Sequence, residues 1–169
     1  MKDIRLIICL LVGLNTCVFG QRLEGMLDLS NQGLTEVPDS VWSIKNLVAL
    51  DLSGNKIKEI SSKIDSLKSL VFINLRGNPI AELPAEFFKL DLKSINVSNS
   101  PLYQEKSFYE NLKHDDFLFV IEGEKTITPL LQKNKSIRHL KLIDCEILDS
   151  VQIQFPNILS IEVKSPNIK

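Results

Sequence analysis

Two stretches of the sequence, LDLSGNKI at residues 50–57 and INLRGNPI at residues 73–80, repeat the same pattern of apolar and polar positions. Leu52 and Leu75 occupy the same place in the two stretches and lie 23 residues apart. A third copy, LDLSNQGL, lies upstream at residues 27–34 with the same 23-residue spacing. A fixed period in this range predicts a solenoid built from stacked copies of one short structural unit.

Within each unit, apolar side chains alternate with polar ones, which is the pattern of a short β-strand with one buried face. The core-facing pairs are Leu27 with Leu29, Leu50 with Leu52, and Ile73 with Leu75. Because each turn of the chain returns in the same direction, the strands must be parallel and need crossover segments. The segments at 38–44 and 61–67 carry apolar residues three apart, which predicts a single helical or 3₁₀ turn in each crossover.

The second half of the chain continues the pattern less regularly. Its clear core-facing pairs are Ile95 with Val97, Leu140 with Leu142, and Ile161 with Val163. One more strand must lie between the first two pairs, and residues 117–121 are the only candidate. With Val120 as its core-facing marker, the steps from Val97 and to Leu142 are 23 and 22 residues, and with Ile121 they are 24 and 21. The even spacing favours Val120 paired with Leu118, and a slip of one residue would exchange the inward and outward side chains.

Short helices complete this half of the prediction. Residues 107–113 are predicted to form one, with Phe108 or Tyr109 and Leu112 facing inward. Thr128 precedes Pro129 and predicts a capped helical turn in the fifth crossover. The total is seven strands with short turns between them.

These motifs resemble the 23-residue class of leucine-rich repeats, as in plant Ras-group and bacterial surface leucine-rich repeat proteins. The most specific pieces are LDLSGN at 50–55 and NLRGNP at 74–79, and the steps Val37-Pro38 and Leu83-Pro84 match the Leu-Pro of many such repeats. The resemblance is close over residues 23–102 and looser over 117–168. It implies an α/β fold, a right-handed solenoid with about seven parallel strands on a concave face that binds other proteins, and short helical or 3₁₀ turns on the convex face.

An asparagine recurs where the chain turns out of the strand, at Asn55 and Asn78. A side-chain amide can both donate to and accept from the backbone, so it can satisfy groups that the bend leaves unpaired. The preceding glycines, Gly54 and Gly77, ease the bend. Cys145 occupies the same place in a later repeat, which predicts a buried spacer rather than a reactive thiol.

The first 20 residues have the features of a signal peptide, and residues 21–169 form the repeat domain. Lys2 and Arg5 give a positive start, residues 6–14 are almost purely apolar, and small or aliphatic residues precede a cleavage point after Gly20. The apolar run is shorter than the roughly 20 residues that a transmembrane helix needs. The chain is therefore expected to be secreted or extracytoplasmic.

A second interpretation of the leader stays open. Residues 14–17, LNTC, resemble a bacterial lipobox in which Cys17 becomes lipidated and tethers the protein to a membrane. The alternative localisation is that of a membrane-anchored lipoprotein, and membrane contact is expected only if Cys17 is lipidated.

Composition and spacing disfavour several classes of function. Twenty Lys and Arg against 21 Asp and Glu give a net charge of −1, with the signs interspersed, so no electrostatic footprint for nucleic acid is present. Cys and His pairs at zinc-ligand spacing are missing, and His114, Asp115 and Asp116 are expected to form a solvated turn rather than a metal site. No nucleophile motif or phosphate-binding glycine loop occurs. The sequence thus predicts neither an enzyme nor a cofactor.

The outward strand positions form the candidate binding surface. Phe72, Arg76, His139 and Lys141 depart from the repeat consensus, and an aromatic beside an arginine is the composition of a binding hot spot. Small neighbours would leave the ring of Phe72 accessible. The predicted binding residues on the concave face are Asp51, Phe72, Asn74, Arg76, Asn96, His139 and Lys141.

Two functions remain. The first is an exported leucine-rich repeat module that recognises a macromolecule, expected to be a protein, through its concave sheet. The second is a lipid-anchored structural or adhesive surface protein that binds polysaccharide or associates with itself. Solenoids usually need capped ends, and no distinct cap is evident here, so an oligomer through the uncapped ends is also possible.

Overall fold

A computed structural model describes residues 25–113, 117–125, 127–145 and 158–164 of the 169-residue chain. Its seven strands form one sheet in which every neighbouring pair is parallel and the strand order follows the chain. The strands are β1 (Met26–Asp28), β2 (Ala49–Asp51), β3 (Phe72–Asn74), β4 (Ser94–Asn96), β5 (Phe117–Glu122), β6 (Ile137–Ile143) and β7 (Ser160–Lys164). The predicted parallel solenoid of seven strands is confirmed.

Short helical turns fill the crossovers between the strands, as predicted. Four are 3₁₀ helices: η1 (Asp39–Ser43), η2 (Ser62–Ser66), η3 (Phe87–Lys89) and η4 (Pro101–Gln104). Two are α-helices, α1 (Lys106–Asn111) and α2 (Pro129–Lys133). The side chain of Thr128 accepts a hydrogen bond from the Leu130 amide at 3.4 Å, which is the predicted cap of α2. Phe108, Tyr109 and Leu112 are all buried.

The core lies between the sheet and the helical turns. Leu50, Leu52 and Leu75 are completely buried there, in the inward positions that the 23-residue spacing predicts. Each repeat stacks its apolar residues on those of the next, so the core runs continuously along the solenoid.

The turn after each of the strands β1 to β6 contains one residue in the left-handed conformation. The positive φ angles are 56° at Asn31, 68° at Gly54, 68° at Gly77, 55° at Asn99, 69° at Gly123 and 50° at Asp144. Glycine, asparagine and aspartate are the residues that adopt this conformation at least cost. The bend assigned to Gly54 and Gly77 is therefore a feature of six successive repeats.

The asparagine position works as predicted. The Asn55 carbonyl oxygen accepts hydrogen bonds from the amides of Gln32 and Leu34, and its amide nitrogen donates to the carbonyl oxygens of Leu29 and Leu52. Cys145 is a free, buried thiol at this position of a later repeat, and it donates to the carbonyl oxygen of Ile143 at 3.4 Å. Burial raises the pKa of the Cys145 thiol, so a smaller fraction of it ionises to the reactive thiolate.

The predicted register of β5 is wrong by one residue. Phe119, not Leu118, pairs with Ile95, so Phe119 and Ile121 face the core and Val120 faces the other side. The step from Val97 to Ile121 is 24 residues, because the crossover between them holds both η4 and α1. Inside this crossover, Phe108 and Tyr109 pack against Phe119 with ring centroids 6.2 and 5.8 Å away. The bulky aromatic residues need a longer loop than even spacing would allow.

Candidate binding surface on the concave sheet

The side chains that alternate with the core residues share one face of the sheet, which we call the concave face. Its positions form three columns across the strands. The first column is Met26, Ala49, Phe72, Ser94, Leu118, His139 and Ser160. The central column is Asp28, Asp51, Asn74, Asn96, Val120, Lys141 and Glu162. The third column is Ser30, Ser53, Arg76, Ser98, Glu122, Ile143 and Lys164.

The Asp and Asn residues of the central column serve the scaffold. A side-chain oxygen of Asp51 accepts from the amide of Ser53 at 2.8 Å, and Asn74 and Asn96 do the same for the residues two positions later. Asp28 repeats the contact with Ser30 at 2.9 Å. These local bonds satisfy backbone groups at the strand ends. Asp51, Asn74 and Asn96 were predicted to bind a partner, and each has a structural role that accounts for its presence.

Phe72 lies on the concave face, as predicted, but its ring is not accessible. The side chain is 2% exposed, and its strand neighbours Ala49 and Ser94 are buried with it. Neighbouring strands are about 4.8 Å apart, so a ring between two small residues has room to lie along the sheet rather than project from it. The expectation of an exposed aromatic anchor is corrected: Phe72 is a packing residue of this face.

His139 and Lys141 lie side by side on β6 and are both engaged. His139 Nδ1 is 2.7 Å from Ser160 Oγ. The Lys141 ammonium is 3.2 Å from a carboxylate oxygen of Glu162, and the lysine side chain is only 2% exposed. The Glu162 carboxylate compensates this buried charge, which would otherwise be costly. Lys141 is thus held in the sheet, whereas Glu162 is the more accessible member of the pair.

Arg76 provides an accessible charge on the concave face. Its side chain is 37% exposed, and its Nε lies 3.6 Å from Glu122 Oε2, whose side chain is 26% exposed. Arg76 lies two residues after the end of β3 and Glu122 is the last residue of β5, so the guanidinium reaches across Ser98, which lies two residues after the end of β4. The Nε atom itself is buried and has no hydrogen-bond partner among the described residues, because the distance to Glu122 is too long for one.

Polar groups surround the Arg76–Glu122 pair. Asn96 donates its side-chain amide to Glu122 Oε2 at 3.3 Å, and the Glu122 backbone amide donates to Ser98 Oγ at 2.8 Å. The Asn99 side-chain amide donates to the Glu122 carbonyl oxygen at 3.2 Å. These bonds fix the carboxylate and its backbone, so Arg76 faces a preformed partner.

Sequence reasoning missed Glu122 for a definite reason. With Val120 assigned to the core, Glu122 would have pointed inward as well, since both have the same parity along the strand. The correct register brings Glu122 to the concave face beside Arg76. Asn99 also contributes to this patch. Its only sequence signal was its place before Ser100, which stands where Asn55 and Asn78 stand in the earlier repeats.

Other chemistry is not evident in the described parts of the chain. No group of three His, Cys, Asp or Glu residues there could hold a metal ion. The segment His114–Asp116, which the sequence predicted to be a solvated turn, lies outside the described residues. Among the described helices, none is both long enough and apolar enough to cross a membrane.

The repeated sequence pattern matches a known protein family. Residues 26–80 match the sequence profile of the leucine rich repeat family. No curated protein sequence matches the chain. One similar solved structure is the leucine-rich repeat domain of the type III effector XopL, with 14% identity, a TM-score of 0.48, and coverage of 85% of this chain and 53% of that one. Another is a leucine-rich repeat protein of Leptospira interrogans, with 21% identity, a TM-score of 0.39, and coverage of 70% and 44%. The chain spans about half the length of these two proteins.

Proposed function

We propose that this chain, a leucine-rich repeat protein, is an exported module that binds a partner protein through its concave face, with the Arg76–Glu122 pair at the centre of the contact. The leucine-rich repeat fold supports a role in protein–protein interaction in general. The finer assignment to the concave face is our inference from the distribution of charge and exposure.

The observation that carries the proposal is the state of Arg76. The first and central columns around it are largely closed: Ala49, Phe72, Asn74 and Asn96 are buried, and their polar groups are bonded within the scaffold. Arg76 is partly exposed, and its only ion-pair partner among the described residues, Glu122, is partly exposed too. Arginine is enriched at binding hot spots because its planar guanidinium pairs with carboxylates and packs on apolar groups.

A partner would find both signs of charge at this place. An incoming carboxylate could bond the exposed tip of the Arg76 guanidinium, and an incoming donor could bond the Glu122 carboxylate. Paired opposite charges that are fixed by their neighbours favour specificity and register more than raw affinity. The Arg76–Glu122 pair therefore suits a polar protein epitope rather than an apolar ligand.

Export is the second part of the proposal, and it rests on the leader. The apolar stretch at 6–14 with its positive start supports secretion, and residues 1–24 lie outside the described part of the structure. Mass spectrometry of the mature protein from its native source tests this part. A free N-terminus at Gln21 is expected, and a chain that retains its leader would contradict export.

Binding is tested with a matched pair of variants. Once a partner has been isolated with the wild-type chain, Arg76→Ala should weaken its dissociation constant about tenfold or more. Lys63→Ala is the control, because Lys63 lies in η2 on the opposite side and pairs only with the exposed Asp39 among the described residues. Loss of binding in the Lys63 variant with full binding in the Arg76 variant would place the partner elsewhere.

A further inference from the structure

Two successive repeats differ in length, so their crossovers on the convex side of the solenoid differ as well. The fourth repeat spans 24 residues from Val97 to Ile121, and the fifth spans 21 from Ile121 to Leu142. The longer crossover carries α1, and the shorter one carries α2. A groove of about 350 Å³ lies between them.

The groove has an apolar floor. Tyr109 and Leu112 from the long crossover and Leu130 from α2 contribute to its lining. The Tyr109 hydroxyl is not available to a ligand, since it donates to the Tyr103 carbonyl oxygen at 2.9 Å. Tyr109 and Leu112 are almost fully buried, at 4% and 1% exposed, so a ligand would meet mainly the half-buried Leu130 as hydrophobic surface.

Asn134 also lines the groove, but its side-chain amide is bonded within the protein. Its amide nitrogen donates to the Tyr109 carbonyl oxygen at 2.6 Å, and its side-chain oxygen accepts from the amides of Ser136 and Ile137. The polar side chains left for recognition are therefore those of the rim.

The rim is positively charged. Three lysines line the groove, Lys106, Lys113 and Lys135, against a single glutamate, Glu110. Glu110 is paired with Lys106 at 2.9 Å, which neutralises that lysine. Lys113 and Lys135 have no ion-pair partner among the residues that the structure describes, and both are exposed. Among the described residues, the groove thus combines a small hydrophobic surface with two ammonium groups that no carboxylate pairs.

We propose that this convex groove is a second binding site, which takes an acidic segment of a partner protein. An apolar side chain of that segment lies on Leu130, beside the small exposed edges of Tyr109 and Leu112, and flanking carboxylates pair with Lys113 and Lys135. The charge of the rim requires an anionic ligand, and the floor requires that it carry an apolar group. A volume at the low end of the range for ligand pockets, about 300–1,000 Å³, suits one large side chain.

A peptide is favoured over a small metabolite by the shape of the site. The lysines stand on separate elements, α1 with the residues that follow it and the turn before β6, so the charges border the groove on two sides. An extended segment places carboxylates on both sides of a central apolar residue. The site is independent of Arg76 and the concave face, so its test is independent of the proposed function.

The probe is the synthetic peptide acetyl-EELFEE-amide, titrated into the isotope-labelled full-length chain and followed by NMR shifts. Shifts are expected at Leu112, Leu130 and Ser136. The control peptide acetyl-QQLFQQ-amide keeps the apolar pair and removes the charge. The variant Lys113→Gln/Lys135→Gln should weaken the acidic peptide about fivefold, and Arg76→Ala should leave its affinity unchanged.

The matched control variant is Lys56→Gln/Lys58→Gln, which removes the same charge from exposed lysines outside the groove. It should change the affinity by less than the groove variant does. The proposal is overturned if the acidic peptide does not bind, if the neutral peptide binds equally well, if both lysine variants weaken binding equally, or if the shifts map to the concave face.

Discussion

Asn78 donates its side-chain amide to the carbonyl oxygen of Leu52, at 2.9 Å and 26 residues earlier in the chain. The same amide group donates to the carbonyl oxygen of Leu75 at 3.0 Å, and its oxygen accepts from the amide of Ile57 at 3.1 Å. One buried side chain thus joins the backbones of two successive repeats. This contact holds the turn of one repeat on the turn of the next, and with them the strands that carry Arg76 and its neighbours.

Replacing Asn78 with alanine should cost about 1–3 kcal/mol of unfolding free energy, because it leaves the buried amide of Ile57 without its acceptor. The midpoint of urea unfolding measures the effect. Asn111→Ala is the control, since Asn111 is exposed on α1 and bonds only within its own helix. Equal midpoint shifts for the two variants would disprove the linking role of Asn78.

Ser100 occupies the place of Asn78 in the next repeat, and a proline follows each of them. Its hydroxyl is buried and has no hydrogen-bond partner in the described part of the chain. Ser100→Asn should therefore raise stability by about 1 kcal/mol, since an amide there can reach the turn backbones as Asn78 does. Ser100→Ala should not destabilise, because it removes no bond. A lower urea midpoint for the alanine variant would show that the hydroxyl is bonded after all.

Substitutions at Gly77 test the energetic cost of the left-handed backbone without steric crowding. Its φ is +68°, and an added Cβ would approach only the Gly54 backbone, at 3.6 Å or more. Gly77→Ala should cost about 1–2 kcal/mol from the left-handed backbone alone. Gly77→Asn should cost less, because Asn31 and Asn99 adopt the same conformation in other repeats. Thermal melting of both variants tests this order, and an asparagine variant less stable than the alanine variant would contradict it.

Alkaline pH should unfold the chain through its two tyrosines. Burial raises the pKa of Tyr103 and of Tyr109 above the ordinary value of 10.0. Below pH 10 both hydroxyls are neutral in the folded and unfolded chains, so this contribution to stability is fully present. As the pH rises above 10 toward the raised folded values, the unfolded chain ionises first and stability falls.

The measurement is absorbance at 295 nm, where tyrosinate absorbs, recorded together with circular dichroism. Because the chain has only two tyrosines and both are buried, tyrosinate should form in one step that coincides with loss of secondary structure. Tyrosinate that forms gradually in a fully folded chain would refute the burial argument.

The sequence predicted the architecture well because the repeat is a local pattern. The spacing alone predicts the roles of Leu52, Leu75 and Asn55, and each of them lies where the spacing places it. The register of β5 could not be obtained in this way. Its position depends on how much room the aromatic residues of the preceding crossover need, which is a packing property rather than a periodic one.

The candidate site was predicted less well than the fold. Alternation alone places Phe72 and Arg76 on one face, but it does not reveal that the Phe72 ring is buried. Phe72→Ala is therefore now expected to reduce stability as well as any binding, and it cannot serve as a clean test of the surface. The exposure of Arg76 and its approach to Glu122 depend on three neighbouring strands, so only the structure could bring them together.

The central claim is that a partner protein contacts the concave face at Arg76, and site-specific photo-crosslinking tests it most directly. A benzophenone amino acid replaces Ser53, which lies beside Arg76 in the third column of the concave face, or, as the control, Lys63, and each full-length chain is irradiated in an extract of the native source. The account predicts one protein adduct from position 53, which excess wild-type chain suppresses, and none of that protein from position 63. The same adduct from position 63 with none from position 53 would contradict it.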